Sequence, residues 1–525
     1  MTNATPTATI ARAPTAAPLQ QREGVDAHAG NAPPDLKRQA ARGAVVSTGG
    51  QVATLVLRTA SLMIFARLLL KEDFGLVSMA TVFTGFLGLL RDAGLSDATV
   101  QRASITTAQT STLFWVNVAV GGLLAILTTA TAPILTTFYG DGRLFWITVA
   151  VGASFVFNGA AAQHRAILRR DLRFSALATT DLVSLCAAIA LGLGMALAGY
   201  RYWALVGMAI TQPAITAAGV WVATGWVPGK PQRRSGIGPM LAYGGAVTLN
   251  TAIVYLAYNV DKVLIGRFWG ADALGTYGRA FQLVTLPNEI LFATLGQVAF
   301  PAFSRVQNDL PRLRSYFLKG YGVFVSLVMP ITIGSALFAD DIVRVLLGTK
   351  WLDAAVILRL LSPTILAFAV AHPFGSLMLA RGRVDRALTI ALVVSPALIL
   401  SYILGLSRGP QGVAMAFSIT MVLAIAPVAL LATRGTSITM GDLVTTVKPA
   451  FISVAITAAA LLAVQPMVKR VEPALVRLIA ECGALLAVYL FTFLYIMKQK
   501  PIYMRLLRET ALWPVKDGRP ATSGA

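Results

Sequence analysis

Several charged residues of this sequence lie inside long apolar stretches, where an unpaired charge is energetically costly. Four of them are basic, namely Arg58, Lys262, Arg279 and Arg359. Cations in such places usually face water, a ligand or an opposite charge, so these four are candidate anion-binding groups of a cationic cavity. A guanidinium suits a phosphate in particular, because it can donate two parallel hydrogen bonds to it.

Two carboxylates occupy comparable positions. Glu289 lies near the middle of one apolar stretch, and Asp181 lies in the inner half of another. Either could carry a coupling ion, and Glu289 could instead be the ion-pair partner of Arg58. Lys262 could likewise pair with its neighbour Asp261 at a membrane interface. These alternatives stay open at the level of the sequence.

Aromatic and amide side chains recur in one further stretch, at Asn250, Tyr255, Tyr258 and Asn259. Tyr255 precedes Tyr258 by three residues and Asn259 by four, so a continuous helix would place them on one face. Such a face suits contact with a sugar or a lipid headgroup, although tyrosine is also common at membrane interfaces. We therefore expect these four residues to line the same cavity.

About fourteen apolar stretches of about twenty residues each must position these groups, from 43–66 to 475–497. A helix of about twenty residues crosses a bilayer core of about 30 Å. Backbone groups in lipid must be hydrogen-bonded internally, which makes consecutive stretches helical. Hydrophobic residues make up 56% of the chain, charged residues 13%, and the mean hydropathy is +0.69. The sequence predicts an all-α polytopic membrane protein.

The net charge of +21 follows the expected membrane topology. Lys and Arg are about twice as frequent in one set of alternate polar breaks as in the other. The positive-inside rule puts the richer set, which includes both chain ends, in the cytoplasm. The expected partners of this charge are therefore anionic membrane lipids and not nucleic acid.

Motifs of enzymes and metal proteins are missing from the sequence. No Gly-rich loop is followed by Lys-Ser/Thr, no HExxH occurs, and the three histidines lack metal-ligand spacing. Cys186 and Cys482 both fall in apolar stretches, which argues against a disulfide. The sequence therefore predicts a protein that is not an enzyme and needs no cofactor or metal.

A linker-like segment, VPGKPQRRSGIG at 227–238, follows the sixth predicted span. An even number of preceding spans means that a second half would start in the same orientation as the first. Residues 65–80 and 265–280 match weakly, at Arg67/Arg267, Gly75/Gly275 and Ala80/Ala280. Parallel repeats of this kind are one transporter plan, in which substrate is handled between the halves. Two unrelated helical hairpins are the alternative.

Four stretches, at 66–102, 167–184, 259–287 and 348–362, resemble bacterial polysaccharide exporters of the Wzx type. Examples are NVDKVLIGRFWGADALGTYGRAFQLVTLP and GTKWLDAAVILRLLS. These exporters belong to the multidrug/oligosaccharidyl-lipid/polysaccharide flippase superfamily, and the exopolysaccharide branch with the colanic-acid exporter is the most similar. The resemblance implies two pseudo-symmetric six-helix lobes around a central cationic cavity, plus two C-terminal helices. It also implies flipping of undecaprenyl-diphosphate-linked repeat units to the periplasmic leaflet of the bacterial inner membrane.

The resulting division of the chain has five parts. Residues 1–42 form a disordered cytoplasmic tail, since their Ala-, Thr- and Pro-rich composition cannot bury enough surface to fold. Helices 1–6 form an N-lobe at 43–234, and helices 7–12 form a C-lobe at 235–435. Helices 13 and 14 occupy 436–497, and a C-terminal cytoplasmic tail follows at 498–525.

We therefore expect a flippase that moves lipid-linked oligosaccharides for exopolysaccharide or lipopolysaccharide biosynthesis by alternating access. An inside-negative potential favours outward movement of a diphosphate by about 2.3 kcal/mol per charge per 100 mV. A polysaccharide polymerase with its chain-length machinery is a further expected partner. One alternative is a multidrug cation antiporter of the same fold, whose cavity should be dominated by carboxylates. Another is a non-transporting scaffold of a polysaccharide assembly complex, which has no use for charges inside the membrane.

Overall fold

The computed structural model describes residues 34–91, 105–232, 252–468, 472–501 and 503–504. Throughout these ranges the regular structure is helical, without a β-strand. Among the described residues, ten helical stretches are long and apolar enough to cross a membrane. One of these stretches, Asp385–Thr433, contains two helices. The chain is a helical, multi-pass membrane protein, as the sequence predicts.

Seven helices make up the first half. They are α1 Pro34–Leu68, α2 Lys71–Arg91, α3 Thr107–Tyr139, α4 Arg143–Gly152, α5 Ser154–Arg170, α6 Phe174–Leu197 and α7 Trp203–Thr224. The predicted span 144–162 is shared by α4 and α5. Helix α1 begins earlier than the expected start at 43, and residues 1–33 of the expected tail lie outside the described residues.

The remaining helices follow a helical segment at 252–257. They are α8 Val260–Arg305, α9 Leu310–Leu337, α10 Ala339–Leu346, α11 Asp353–Ala380, α12 Val384–Gly405, α13 Gly409–Thr433, α14 Met440–Val468 and α15 Ala474–Phe491. Gly270, with φ +81°, divides α8 into two helical parts. The first begins at the end of the predicted seventh span, 239–262, and continues beyond it, and the second contains the predicted eighth span, 274–303. Glycine accepts this left-handed angle without a steric penalty.

Helix-capping residues define both ends of α3. At the start of α3, the Thr106 hydroxyl accepts from the Gln109 backbone N–H, and the Gln109 side chain accepts from the Thr106 N–H. This capping box satisfies two backbone donors that the helix leaves free. At its other end Gly140 adopts φ +73°, which allows its N–H to bond back to Thr136.

The helices pack in two groups. In the first, α6 contacts α7 and α1, while α3 contacts α5. In the second, α11 lies between α8 and α13, and α12 packs on α13. Helices α14 and α15 pack on α9 and α10 of the second group. The main contact between the groups is that of α2 with α8, so the space beside this pair lies between the two halves.

Two glycines allow α2 and α8 to approach each other closely. A methyl group on Gly75 would lie 1.8 Å from the carbonyl oxygen of Ala271, and one on Gly275 would lie 2.0 Å from that of Lys71. The two contacts are related by the 200-residue offset of the weak sequence repeat. Two equivalent contacts of this kind are expected if the two halves are related by a pseudo-two-fold axis.

Polar contacts join the halves beside these glycines. The Trp351 Nε1–H donates to the carbonyl of Ala66 at 2.8 Å, and the Lys350 Nζ donates to that of Leu69 at 2.5 Å. Both carbonyls lie at the C-terminal end of α1, where backbone acceptors have no partner within the helix. We call residues 66–71 and 350–353 the outer clasp, because the sequence predicts this side to be periplasmic.

Candidate functional site

A cavity of about 370 Å³, here called the central cavity, lies between α2 and α8. It is lined by Ser78, Thr81 and Val82 of α2, by Tyr255 and Asn259, and by Lys262, Leu274, Gly278, Arg279, Phe281, Gln282 and Thr285 of α8. Four of the candidate residues from the sequence thus meet at one site: Lys262, Arg279, Tyr255 and Asn259.

Arg279 reaches the cavity with most of its hydrogen-bonding capacity unused. Its Nη1 donates to the Gln282 Oε1 at 2.5 Å, and its Cζ lies 4.2 Å from the centre of the Phe74 ring. The Arg279 Nε is buried and has no hydrogen-bond partner among the described residues. Since a guanidinium has five N–H donors, several remain for a ligand. The ring face stabilises the cation without neutralising it.

Lys262 is held in the same manner. Its Nζ donates to the Asn259 Oδ1 at 2.7 Å and lies 4.8 Å from the centre of the Phe281 ring. The neighbouring Asp261 carboxylate forms no salt bridge with the Lys262 Nζ among the described contacts and instead accepts the backbone N–H of Lys262. Each cavity cation therefore has an amide and an aromatic ring as its neighbours.

Other arginines of the bundle are paired with carboxylates. Arg165 forms a bidentate contact with Asp181, at 2.6 and 3.1 Å, and Arg359 lies 2.8 Å from Asp340 on an exposed surface. These contacts place both Asp181 and Arg359 outside the central cavity. In contrast, none of the described residues that line the cavity is Asp or Glu. The described lining therefore carries two basic side chains and no acidic one, which favours an anionic ligand.

Two further candidates lie elsewhere in the described part of the chain. The side chains of Arg58 on α1 and Glu289 on α8 are exposed, and neither lines the central cavity. The salt bridges found among the described residues do not include one between them. Asn250 lies outside the described residues.

The expected common face of Tyr255, Tyr258 and Asn259 is divided. The Tyr255 hydroxyl donates to the Val82 carbonyl at 3.0 Å and borders the cavity. Tyr258 turns into the core of the second half, with its hydroxyl 3.7 Å from the sulfur of Met421. Tyr255 and Asn259 both line the cavity, as their spacing of four residues predicts, although residues 258 and 259 are not helical and Asn259 has φ −132°. The prediction of a common face therefore fails for Tyr258 alone.

The neutral part of the lining was missed by reasoning from the sequence, which singled out charges. Ser78 and Thr81 from α2 and Gln282 and Thr285 from α8 form it. Gln282 and Thr285 follow Gly278 at spacings of four and seven residues, which places them on one face of α8. A search for polar residues at helical spacing would have found this face.

A family model described as polysaccharide biosynthesis protein matches residues 64–356, more than half of the 525-residue chain. The lipopolysaccharide biosynthesis protein WzxC of Escherichia coli (strain K12) is 24% identical over 398 residues, which cover 74% of this chain and 80% of that protein. The teichuronic acid biosynthesis protein TuaB of Bacillus subtilis (strain 168) is 26% identical over 360 residues, 67% of this chain and 74% of that protein.

Solved structures show the same fold. The lipid II flippase MurJ in an inward closed conformation matches with a TM-score of 0.69, covering 88% of this chain and all of that one, at 15% identity. An inward-facing MATE family multidrug resistance transporter of the MOP superfamily matches with a TM-score of 0.58 over 73% of this chain and 96% of that one, at 13% identity. The family match covers more than half of the chain and includes both α2 and the cation-bearing part of α8. The chain therefore belongs to the polysaccharide biosynthesis protein family.

Proposed function

We propose that the protein is a flippase that moves polyprenyl-diphosphate-linked oligosaccharides across the bacterial inner membrane. The observation that supports this most directly is that Lys262 and Arg279 face one cavity with neutral partners only. Two cations that form no salt bridge suit the two phosphoryl groups of a diphosphate. Family membership and the similarity to WzxC and TuaB support a role in polysaccharide biosynthesis.

In this proposal the diphosphate binds between α2 and α8. Arg279 donates two parallel hydrogen bonds to one phosphoryl group, and Lys262 acts on the other as a compact positive charge. The sugars contact the hydroxyl and amide groups of the lining, while the polyprenyl tail stays in the lipid. Because α2 and α8 belong to different halves, relative movement of the halves exposes the cavity to each side of the membrane in turn.

The composition of the cavity disfavours a multidrug cation antiporter. Lys262 and Arg279 repel a cationic drug, and the described lining offers no carboxylate to attract one. The likeness to MATE transporters concerns the fold and leaves this argument unchanged. A passive scaffold is disfavoured as well, because Lys262 and Arg279 form no salt bridge in the described structure, at a cost that a purely structural site could avoid.

The orientation in the membrane is part of the proposal. Both termini lie in the cytoplasm, which is supported by the excess of Lys and Arg in the corresponding breaks. Substrate then enters from the cytoplasmic leaflet, where it is assembled, and leaves toward a polymerase on the periplasmic side.

Replacing Lys262 by Met and Arg279 by Gln tests the proposal in a strain that lacks the chromosomal copy. Loss of one charge-assisted contact costs about 1.5–3 kcal/mol, so each variant should capture substrate about ten- to a hundredfold more weakly. Polymer export should fall while the lipid-linked precursor accumulates. Arg279→Lys should retain part of the activity, because the charge survives without the planar fork.

Arg359→Gln is the matched control, because Arg359 lies on the same bundle but pairs with Asp340 on an exposed surface. Exposed ion pairs contribute about 1 kcal/mol or less, so export should stay close to the wild-type level. Wild-type export by a Lys262→Met/Arg279→Gln double variant would refute the cationic-cavity mechanism.

A further inference from the structure

The ring of Phe74, in the first turn of α2, contacts two side chains of the other half. One is Arg279 of the central cavity, whose Cζ lies 4.2 Å from the centre of the ring. The other is Trp351 of the outer clasp, whose ring packs edge-on at 5.5 Å between ring centres, with an interplanar angle of 68°. Both aromatic side chains are buried. Phe74 therefore joins the anion site to the clasp through contacts that cross between the halves.

These contacts belong to one arrangement of the halves. The Trp351 Nε1–H donates to the Ala66 carbonyl of α1, where both residues are fully buried. Next to Phe74, Gly75 allows the α2 backbone to approach that of α8 at Ala271. Because the Phe74 ring moves with α2 and Arg279 moves with α8, separation of these helices on the clasp side breaks their contact.

The weak sequence repeat supplies an internal comparison for this contact. At the 200-residue offset, Phe74 corresponds to Leu274 and Arg279 corresponds to Met79. Leu274 and Met79 belong to one hydrophobic core and meet beside Gly266, where a methyl group would lie 3.2 Å from Leu274 Cδ2 and 3.3 Å from Met79 Cε. An aliphatic pair is thus sufficient to pack the equivalent contact. Packing alone does not explain the aromatic ring and the arginine in the other copy.

An aromatic ring restrains a guanidinium in a way that an aliphatic side chain cannot. The ring attracts the cation electrostatically and leaves its N–H groups free to donate to an anion. Gln282 fixes one nitrogen atom of Arg279, and Phe74 limits the movement of the rest. Without the ring, an anion has to immobilise this part of the side chain when it binds, which lowers its affinity.

We propose that Phe74 is a positioning residue of the anion site and makes the affinity of this site depend on the outer clasp; the inference rests on the proposed function. With the clasp closed, the ring holds Arg279 in the orientation that binds the diphosphate. When the clasp opens, Phe74 moves away with α2 and Arg279 regains its rotational freedom. The diphosphate, still beside α8, is then bound less tightly and leaves on the periplasmic side. By linkage, a bound diphosphate favours the closed clasp by the same factor.

Equilibrium binding of radiolabelled undecaprenyl diphosphate, without a glycan, to the full-length protein in detergent tests the positioning role. Phe74→Leu, which copies the aliphatic residue of the repeat, should weaken binding about two- to tenfold, because one flexible side chain is left unrestrained. Phe74→Tyr keeps a ring face and should retain most of the affinity. The control is Met79→Leu, at the equivalent position of the repeat, which should bind like the wild type.

Double variants separate positioning from a general structural effect. In an Arg279→Gln background, Phe74→Leu should not weaken binding further, because the side chain that it positions is gone. In a Lys262→Met background, the same substitution should keep its full effect. A purely structural role of Phe74 would weaken binding equally in both backgrounds.

Cross-linking tests the dependence on the clasp. Cysteines replace Lys71 and Asp353, which are paired across the clasp, in a variant without the two native cysteines. The rate of cross-linking by a short bifunctional thiol reagent is measured with and without undecaprenyl diphosphate. The ligand should raise this rate in the parent and in Met79→Leu, and it should have no effect in Phe74→Leu or Arg279→Gln.

Two outcomes would overturn the inference: equal weakening by Phe74→Leu with and without Arg279, or a parent cross-linking rate that ignores the ligand. If Phe74→Leu does not assemble, the parent and Arg279→Gln still decide the linkage, since the rate must rise with ligand only in the parent. A wild type that does not bind undecaprenyl diphosphate would refute the flippase proposal itself. Binding that depends on Arg279 and not on Phe74 would refute this inference alone.

Discussion

An amide oxygen and an aromatic ring hold each cation of the central cavity, and this choice of partners leaves the charge available to a ligand. Gln282 and Asn259 orient Arg279 and Lys262 by hydrogen bonds. A carboxylate at either position would orient the cation equally well and would also neutralise it, as Asp181 does for Arg165. We therefore expect the neutral partners to matter for anion binding at this site.

Gln282→Glu tests this property with the smallest possible change. The new carboxylate should pair with Arg279, so anion capture should weaken about as much as on loss of the arginine, roughly tenfold or more. Gln282→Met, which has a similar volume but no charge, should be affected less. Export and precursor accumulation are measured for both. Equal or better export by the Glu variant would show that the charge of Arg279 is not what the site uses.

A charge in an apolar stretch did not by itself identify a cavity residue, because Arg58 meets this criterion but is exposed and does not line the central cavity. Lys262 and Arg279 reach the cavity as expected. Arg359 satisfied the same criterion, yet its partner Asp340 is 19 residues away and reaches it only through the packing of α10 on α11. Tertiary ion pairs of this kind cannot be read from spacing along one helix.

At the scale of helices, the α2–α8 contact controls how the halves meet. Hydropathy is summed along the chain, so the spans could be predicted from local sequence. The break at Tyr258–Asn259 could not be predicted in this way, because neither residue is a strong helix breaker.

Gly75→Ala should force α2 away from α8, because its methyl group would meet the Ala271 backbone carbonyl, which cannot rotate aside. Cross-linking measures this: cysteines replace Lys71 and Asp353, whose side chains lie 2.7 Å apart, in a variant without Cys186 and Cys482. The yield with a short bifunctional thiol reagent should fall.

Gly122→Ala is the control for that substitution, since a methyl group at Gly122 has nothing within 4 Å. Its cross-linking yield should equal that of the parent. An unchanged yield in Gly75→Ala would mean that the outer clasp does not require the close approach of the α2 and α8 backbones.

Trp351→Phe should weaken the outer clasp. The Trp351 Nε1–H bonds the Ala66 carbonyl in a fully buried setting, and its removal leaves that acceptor unsatisfied at a cost of about 1–3 kcal/mol. Trp269→Phe removes an analogous bond to the Leu406 carbonyl, but Trp269 is 48% exposed, so the loss should be smaller. Thermal unfolding in detergent compares the two variants. A larger effect at Trp269 would contradict the role of the clasp.

On the scale of the whole molecule, the two groups of helices and the distribution of Lys and Arg in the polar breaks between spans predict a membrane topology. Reporter fusions after Pro231 and Ser315 should read cytoplasmic, and one after Asp141 should read periplasmic. The reason is that two passes separate the first two sites, while three precede the last. A periplasmic signal after Pro231 would contradict the number of spans in the first half and, with it, the parallel orientation of the second.

Both cations of the central cavity belong to the second half, while the first half contributes the uncharged wall of Ser78, Thr81 and Val82. In the proposed mechanism, the diphosphate stays with α8 when the halves part, whereas the sugars lose their contacts with α2. The anion site then lies wholly in the second half, and only the sugars are contacted by both halves. Replacing the α2 wall with that of a relative that exports another polymer should therefore change glycan choice and leave the anion site intact.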